Sequence, residues 1–422
     1  MSEETSKKSL SLLTFWKLLG PGLVTGASDD DPSGIATYSQ AGAQYGLSTL
    51  WTALITFPLM AAVQEMCARI GFVTSQGLTG ILKKNYPRPI LWLMVLFSFP
   101  AIVLNIGADI AGMGAVANLI FPKIPATAFS VGFTGLLLLA IIWLPYQKMA
   151  AVLKWLCAIL LVYLVVPFLV KTDWHTVAMN TFVPHVTFDK DFIGVLVAIL
   201  GTTISPYLFF WQATMEVEAN KHTKTVVVDK RHIKQIGFDV DIGMFFSNIV
   251  MFFIILTTGA VLFPAGIHQI DTVEQAAKAL QPLAGPWAYY LFAIGIVGTG
   301  FLAIPVLSGS LSYIVSEAFG WEEGLDKKFH EAKPFYAVII VSLLVGLAIN
   351  NIGVSPIQAL IWSAILYGVT SPVIIAIVLH ISNNKKVMGQ YTNGFWSNLL
   401  GALAWLLMTV SAGFLIYYQF AS

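Results

Sequence analysis

Charged residues make up only 11% of the chain, less than half of the share of about a quarter usual in a soluble domain. The deficit is not spread thinly, because apolar residues, 57% of the total, come in long runs. Leu91–Ile106, Ala128–Leu144, Ala151–Val170, Met244–Leu262 and Leu399–Tyr418 approach or reach the roughly 20 residues needed to cross a hydrocarbon core. Mean hydropathy is +0.77. Backbone polar groups in lipid must be satisfied within the segment, so such runs imply helices. The alternation of a membrane barrel is absent. Cysteine is scarce too: Cys67 and Cys157 form neither a disulfide framework nor a metal knuckle. A net charge of +1 gives no reason to expect a nucleic-acid partner. No His-Glu-x-x-His, Gly-x-Ser-x-Gly or facing catalytic acids suggest an enzyme, and no cofactor is implied.

What is present is an all-α polytopic membrane protein, read here as a single transmembrane domain over 1–422. Eleven spans are expected, at about 13–43, 46–71, 90–119, 126–145, 149–170, 193–217, 236–264, 284–318, 334–350, 355–382 and 393–419. The first contains Pro21 and three acids and lacks a small-residue cleavage site before them, so it reads as a retained helix rather than a signal peptide. With a cytoplasmic N-terminus, 19 of the 23 Lys and Arg residues fall on inner loops and flanks. That asymmetry is the positive-inside pattern of a cytoplasmic membrane protein. The basic connector 218–235 holds His222, Asp229 and His232, best read as a solvated loop. Gly295, Gly298 and Gly300 lie inside an apolar span with no strand before them, so helix packing explains them better than a nucleotide loop.

The chemistry concentrates in two places. The first is GLVTGASDDDPSG, Gly22 to Gly34, in the middle of the first span. An acid at the centre of a membrane helix costs roughly 2.5–3.5 kcal/mol, and three in succession require a reason. Pro32 lacks an N–H and pushes Asp31 toward extended backbone, while Gly26, Ser33 and Gly34 loosen the same turn. The expectation is a helix broken at membrane depth, with free carbonyls and Asp31 facing a cavity as a metal ligand. Adjacent helical residues point about 100° apart, so Asp29 and Asp30 face a wet vestibule or pair elsewhere. The second break is expected in the sixth span, around Gly201, Thr202, Thr203, Ser205 and Pro206. Breaks five spans apart, in spans of opposite direction, suggest inverted 5+5 repeats, about 13–170 and 193–382, with an extra helix at about 393–419. Matching broken helices point to a midplane site in a secondary transporter.

These motifs, Gly20-Pro21-Gly22 through Asp31-Pro32-Ser33-Gly34 and Thr202 to Tyr207, resemble those of the NRAMP divalent metal transporters, over roughly residues 14–382. The resemblance implies a leucine-transporter-like fold with helices 1 and 6 broken and a divalent metal ion as cargo. Carried over position by position, the family's metal-binding Asp falls on Asp31 and its Asn on Gly34. Its Met falls on Ser205, and its two backbone-carbonyl ligands fall on Ser28 and Thr202. A thioether favours transition metals; with Ser205 and Gly34 in place, the site is expected to be larger and harder, suited to a partly hydrated Mg²⁺, with Mn²⁺ also admitted. The pattern is similar to that of the prokaryotic NRAMP-related magnesium transporters. The family's sixth-span histidines fall on Tyr207 and Gln212. In the third span its Asp is kept as Asp109, and an acid one turn later is Gly112. Tyrosine titrates near 10 and cannot replace histidine as a proton carrier, so transport without obligatory H⁺ coupling is expected. Asp109 either lines the inner exit path or pairs inside the bundle. A proton-coupled Mn²⁺/Fe²⁺ symporter and an organic-substrate carrier, for example for amino acids, are the alternatives.

Overall fold

A computed structural model describes residues 20–144, 158–221, 228–350 and 353–421. His222, Trp16, Lys7, Lys8, Lys17, Lys148, Lys154, Lys224 and the first part of the expected fifth span lie outside the described residues. Helices of eight or more residues are numbered here: α1 (Pro21–Asp29), α2 (Pro32–Tyr45), α3 (Trp51–Thr74), α4 (Leu78–Asn85), α5 (Arg88–Ile120), α6 (Ala126–Trp143), α7 (Val162–Leu169), α8 (Trp174–Phe182), α9 (Lys190–Thr203), α10 (Pro206–Lys221), α11 (Lys230–Val261), α12 (Ala288–Phe319), α13 (Lys333–Ile349), α14 (Pro356–Asn383) and α15 (Phe395–Ala421).

Among the described residues, eight helical segments are long and apolar enough to cross a membrane. The other three expected spans do not meet that measure for separate reasons. The first is split into α1 and α2, the fifth is described only in part, and α13 has 17 residues. The expected boundaries otherwise hold to within a few residues. The largest shift is in α11, which starts at Lys230 rather than near residue 236 because Asp229 caps it, accepting the backbone N–H groups of Arg231 and His232 at 2.9 and 2.8 Å. Those bonds, with the His232 ring beside it, hold the exposed Asp229 carboxyl below the usual carboxylate range. A cap satisfies N–H groups that no helical carbonyl can reach.

Burial separates the inner helices from the lipid-facing ones. In the segment carrying α9 and α10, 94% of the most apolar window is buried within the protein, against 22% in α6 and 28% in α15. The exposed Leu136 and Leu139 of α6 and Leu403 and Leu406 of α15 are therefore lipid-facing, as apolar residues on the outside of a membrane bundle must be. The two split helices form the centre. α11 packs along α1, α2 and α3, α14 lies against α9 and α5, and α5 packs on α12 and α13. Close approach depends on small residues: a Cβ at Gly201 of α9 would lie 2.1 Å from the Ala364 carbonyl oxygen of α14, and one at Gly300 of α12 would lie 2.4 Å from Met113 Sδ. Gly300 thus serves helix packing. Glu65 and Arg69 form an i, i+4 pair at 2.8 Å, and Arg69 also reaches the Tyr391 carbonyl and the Asn393 amide oxygen, tying α3 to the segment before α15.

Candidate functional site

The first break lies where its residue types require it. α1 ends at Asp29, Asp30 leaves the helix at φ −82°, ψ 53°, and Asp31 is extended at φ −72°, ψ 171°. Asp31 is the N-cap of α2. Its Oδ1 accepts the Gly34 N–H at 2.7 Å, and Pro32 occupies the first helical position, where its missing N–H costs nothing. The same Asp-Pro pair therefore stops one half-helix and starts the next. At the other end of α1, Asp239 of α11 accepts the backbone N–H groups of Gly20 and Gly22 at 2.8 and 2.7 Å. A carboxylate at a helix N-terminus is favoured by the macrodipole. Glu317 acts similarly on α4, accepting the Gly80 N–H at 2.7 Å.

The second break separates α9 from α10 at Ile204 (φ −109°, ψ 61°) and Ser205, before Pro206. The Ser371 hydroxyl of α14 donates to the released Ile204 carbonyl at 3.2 Å. The Ser205 hydroxyl turns back on its own helix and donates to the Thr202 carbonyl at 2.6 Å.

The two breaks meet. The Tyr207 hydroxyl donates to the Ser28 carbonyl at 2.8 Å, and the Tyr38 and Thr203 hydroxyls are 3.1 Å apart. A Cβ at Gly34 would lie 3.3 Å from both the Asp29 carbonyl oxygen and Thr202 Oγ1, and 3.4 Å from Tyr38 Cε2. Ser28, Asp31, Gly34, Thr202, Ser205 and Tyr207 are thus brought into one buried cluster. In this closed arrangement the expected spare room is not found beside Gly34, because the Thr202 hydroxyl and the α1 carbonyl end fill it. Asp109 of α5 joins the cluster through Asn105, whose amide nitrogen lies 2.9 Å from Asp31 Oδ2 and 3.3 Å from Asp109 Oδ2. Two expected residues lie elsewhere. Gly112 packs against Leu360, and Gln212 bridges Thr25 of α1 at 2.5 Å and Glu216 at 2.9 Å.

Asp29, Asp30 and Asp31 are 0%, 4% and 2% exposed, so neither Asp29 nor Asp30 faces a wet vestibule. Both instead approach the one Ser247 hydroxyl of α11, at 2.7 and 3.3 Å. Among the described residues no Lys, Arg or His forms an ion pair with these three acids or with Asp109. Sequence reading missed Asn105, Ser247 and Ser363, neutral residues within apolar helices. The only available signal was Asn105 one turn before Asp109, on the same helical face.

Two interrupted helices meeting at buried carbonyls and carboxylates, inside a bundle with lipid-facing outer helices, define a multi-pass membrane protein of the leucine-transporter-like fold. Residues 22–418 match the family model described as "Natural resistance-associated macrophage protein-like", and the chain belongs to this Nramp family. It is 24% identical over 412 residues to the divalent metal cation transporter MntH of Caldanaerobacter subterraneus subsp. tengcongensis, covering 97% of this chain and 94% of that one. It is 25% identical over 432 residues to the MntH of Staphylococcus saprophyticus subsp. saprophyticus, covering 98% and 94%. Its fold resembles that of the crystal structure of a manganese transporter from Eremococcus coleocola, with a TM-score of 0.75 at 20% identity, over 99% of this chain and 88% of that one. It also resembles Mhp1, a nucleobase-cation-symport-1 family transporter in a closed conformation, with a TM-score of 0.52 at 12% identity, over 96% and 93%.

Proposed function

We propose that this protein carries divalent cations across the cell membrane by alternating access around Asp31, with Mg²⁺ as preferred cargo, Mn²⁺ also admitted, and no obligatory proton coupling. The observation that carries this reading is Asp31 itself, a buried carboxylate at the junction of two helix breaks with no basic partner among the described residues. A charge so placed is costly unless something of opposite sign joins it. Relatives described as divalent metal cation and manganese transporters support a divalent cargo. The preference for a hard ion rests on the proposed donors: the Asp31 carboxylate, the Ser28 and Thr202 carbonyls and the Ser205 hydroxyl, with no sulfur among them. Each carbonyl has two lone pairs, so the bonds from Tyr207 and Ser205 leave one free for the ion. The reading includes a cytoplasmic N-terminus and repeats over about 13–170 and 193–382. The membrane potential supplies about 2.3 kcal/mol per charge per 100 mV, enough to drive a divalent ion inward without a second ion.

Ser205→Met tests the donor set. The methionine removes the hydroxyl and adds a soft ligand, so the ratio of Mn²⁺ to Mg²⁺ uptake efficiency is expected to rise about tenfold, equivalent to 1.4 kcal/mol. An unchanged ratio argues against Ser205 in the ion's coordination.

A proton-coupled Mn²⁺ importer is the second reading, favoured by the manganese relative and by Asp109, buried with Oδ1 lacking a hydrogen-bond partner. Proteoliposomes holding a Mg²⁺-sensitive or a pH-sensitive dye, at a set membrane potential, separate the two. Mg²⁺ entry with Mn²⁺ competition and no acidification supports the first reading. Mn²⁺ entry with acidification and no Mg²⁺ signal supports the second and overturns the first.

A further inference from the structure

We infer that Asn105 of α5 is a further ligand of the transported ion, supplying from a neighbouring helix the side-chain oxygen that Gly34 lacks. The inference rests on the proposed transport of divalent cations around Asp31. Asn105 is fully buried, and its amide links the first helix break, at Asp31, to α5 and α14. Nδ2 donates to Asp31 Oδ2 at 2.9 Å and lies 3.3 Å from Asp109 Oδ2, while Oδ1 accepts from the Ser363 hydroxyl of α14 at 2.7 Å. The amide is oriented by its neighbours. With the oxygen turned toward Asp31, two acceptors would face each other, so the NH₂ end faces the carboxylate when no cation is held there.

A divalent ion on Asp31 reverses that preference. It takes up the lone pairs that now accept from Nδ2, and its charge repels the amide hydrogens while attracting the amide oxygen. Rotation of the amide by half a turn puts Oδ1 where Nδ2 lies. The separation then fits the ion: two neighbouring oxygens on an octahedral Mg²⁺ at 2.0–2.1 Å lie about 2.9 Å apart, the distance already present between Nδ2 and Asp31 Oδ2. The far side of the amide is prepared for the exchange. The Ser363 hydroxyl lies 2.7 Å from the Leu360 carbonyl as well as from Asn105 Oδ1. The hydroxyl can turn its hydrogen to the Leu360 carbonyl, and its oxygen then accepts from the rotated Nδ2, so the turned amide keeps a partner at that end. Ser33 of α2, 3.1 Å from the Ser363 hydroxyl and itself donating to the Leu360 carbonyl at 2.9 Å, fixes that end of the network. Rotation also releases Asp109 from Nδ2, leaving it for a water that a partly hydrated ion retains. An amide oxygen is a hard, neutral donor, so it suits Mg²⁺ and Mn²⁺ without adding a fifth acid to a region that already holds Asp29, Asp30, Asp31 and Asp109.

The competing role for Asn105 is positional: its N–H holds the Asp31 carboxylate in place and never touches the ion. Asn105→Asp and Asn105→Leu separate the roles. Aspartate keeps an oxygen and loses the donor; leucine keeps the size and loses both. Uptake of Mg²⁺ and Mn²⁺ into proteoliposomes and Mn²⁺ binding to the purified protein are measured for both variants, with thermal melting as the folding control. A ligand role predicts that Asn105→Leu raises KM and Kd by at least about tenfold for both ions, while Asn105→Asp, which keeps an oxygen for the ion, loses clearly less. If Asn105→Leu does not fold, Asn105→Ala removes the oxygen without adding bulk. An Asn105→Asp loss equal to or greater than that of Asn105→Leu overturns the inference in favour of positioning, and wild-type KM in Asn105→Leu or Asn105→Ala overturns it outright. If both variants match a wild type whose uptake is lost in Asp31→Asn, Asn105 is no ligand while the transport reading stands. Wild-type protein that takes up neither ion removes the transport reading and this inference together.

Discussion

Asp31→Asn is expected to reduce divalent-cation uptake to background while leaving the protein folded. Asparagine is as good an N-cap as aspartate, so its side-chain oxygen can still accept the Gly34 N–H that Asp31 Oδ1 now accepts. The Asn105 amide, which donates to Asp31 Oδ2, can turn its oxygen toward the new NH₂ group. What the substitution removes is the charge alone. Asp31→Ala removes the cap as well, at a cost of about 0.5–2 kcal/mol, and leaves the Asn105 N–H without its strongest acceptor. The pair of variants therefore distinguishes a transport defect from a folding defect. Both should lie at background in uptake, and only the alanine variant should melt lower in the absence of ions. Wild-type protein should be stabilised by Mg²⁺ or Mn²⁺, by about 2.7 kcal/mol at a hundredfold excess over Kd, and Asp31→Asn should show no such rise. Asp31→Asn that transports like wild type would remove Asp31 from the pathway.

How much of this was legible from the chain alone depends on the range of the interactions. The long helices were, because lipid permits so few backbone arrangements that Leu91–Ile106 or Leu399–Tyr418 has only one option. The two breaks were legible as well, since Asp31-Pro32 and Ser205-Pro206 act on their own backbone within a few residues. The partners across helices were not. Asn105 meets Asp31 from 74 positions away, Ser363 meets Asn105 from 258 and Ser247 meets Asp29 from 218. Nothing local marks a serine in an apolar helix as the donor to a distant carboxylate. Asp239 shows the same limit. It accepts the N–H groups of Gly20 and Gly22 from 219 and 217 positions away, capping the half-helix α1, and nothing beside it in the chain points to them. Gly34 erred in the opposite sense. The absence of a side chain suggested space, but a missing side chain opens a cavity only if its neighbours leave it empty, and Thr202 and Tyr38 do not.

Gly26→Val is expected to prevent the protein from assembling, and Gly26→Ala to lower its melting temperature. The sequence invites another reading, in which Gly26 loosens the break before Asp31 and tolerates any small residue. The geometry does not agree. Gly26 lies within the helical turns of α1 and is not among the positive-φ glycines, so its backbone needs no special freedom. What it requires is space: a Cβ there would lie 2.2 Å from the Gly243 carbonyl oxygen, and a Cβ at Gly243 would lie 2.1 Å from the Gly22 carbonyl oxygen. Gly22 and Gly26, four positions apart on α1, thus form a small-residue face that brings its backbone onto α11. That approach also brings Asp239 to the α1 N-terminus and Ser247 to Asp29. Overpacking commonly costs about 1–3 kcal/mol, and here the obstacle is backbone, which cannot rotate aside as a side chain can. Gly132 of α6 is the control, with nothing within 4 Å of its added Cβ. Gly132→Ala should stabilise the exposed helix by up to about 1 kcal/mol. If Gly26→Ala instead melts like Gly132→Ala, α1 is held by its caps rather than by its glycine face, and the break itself, not the packing beside it, determines where the half-helix lies.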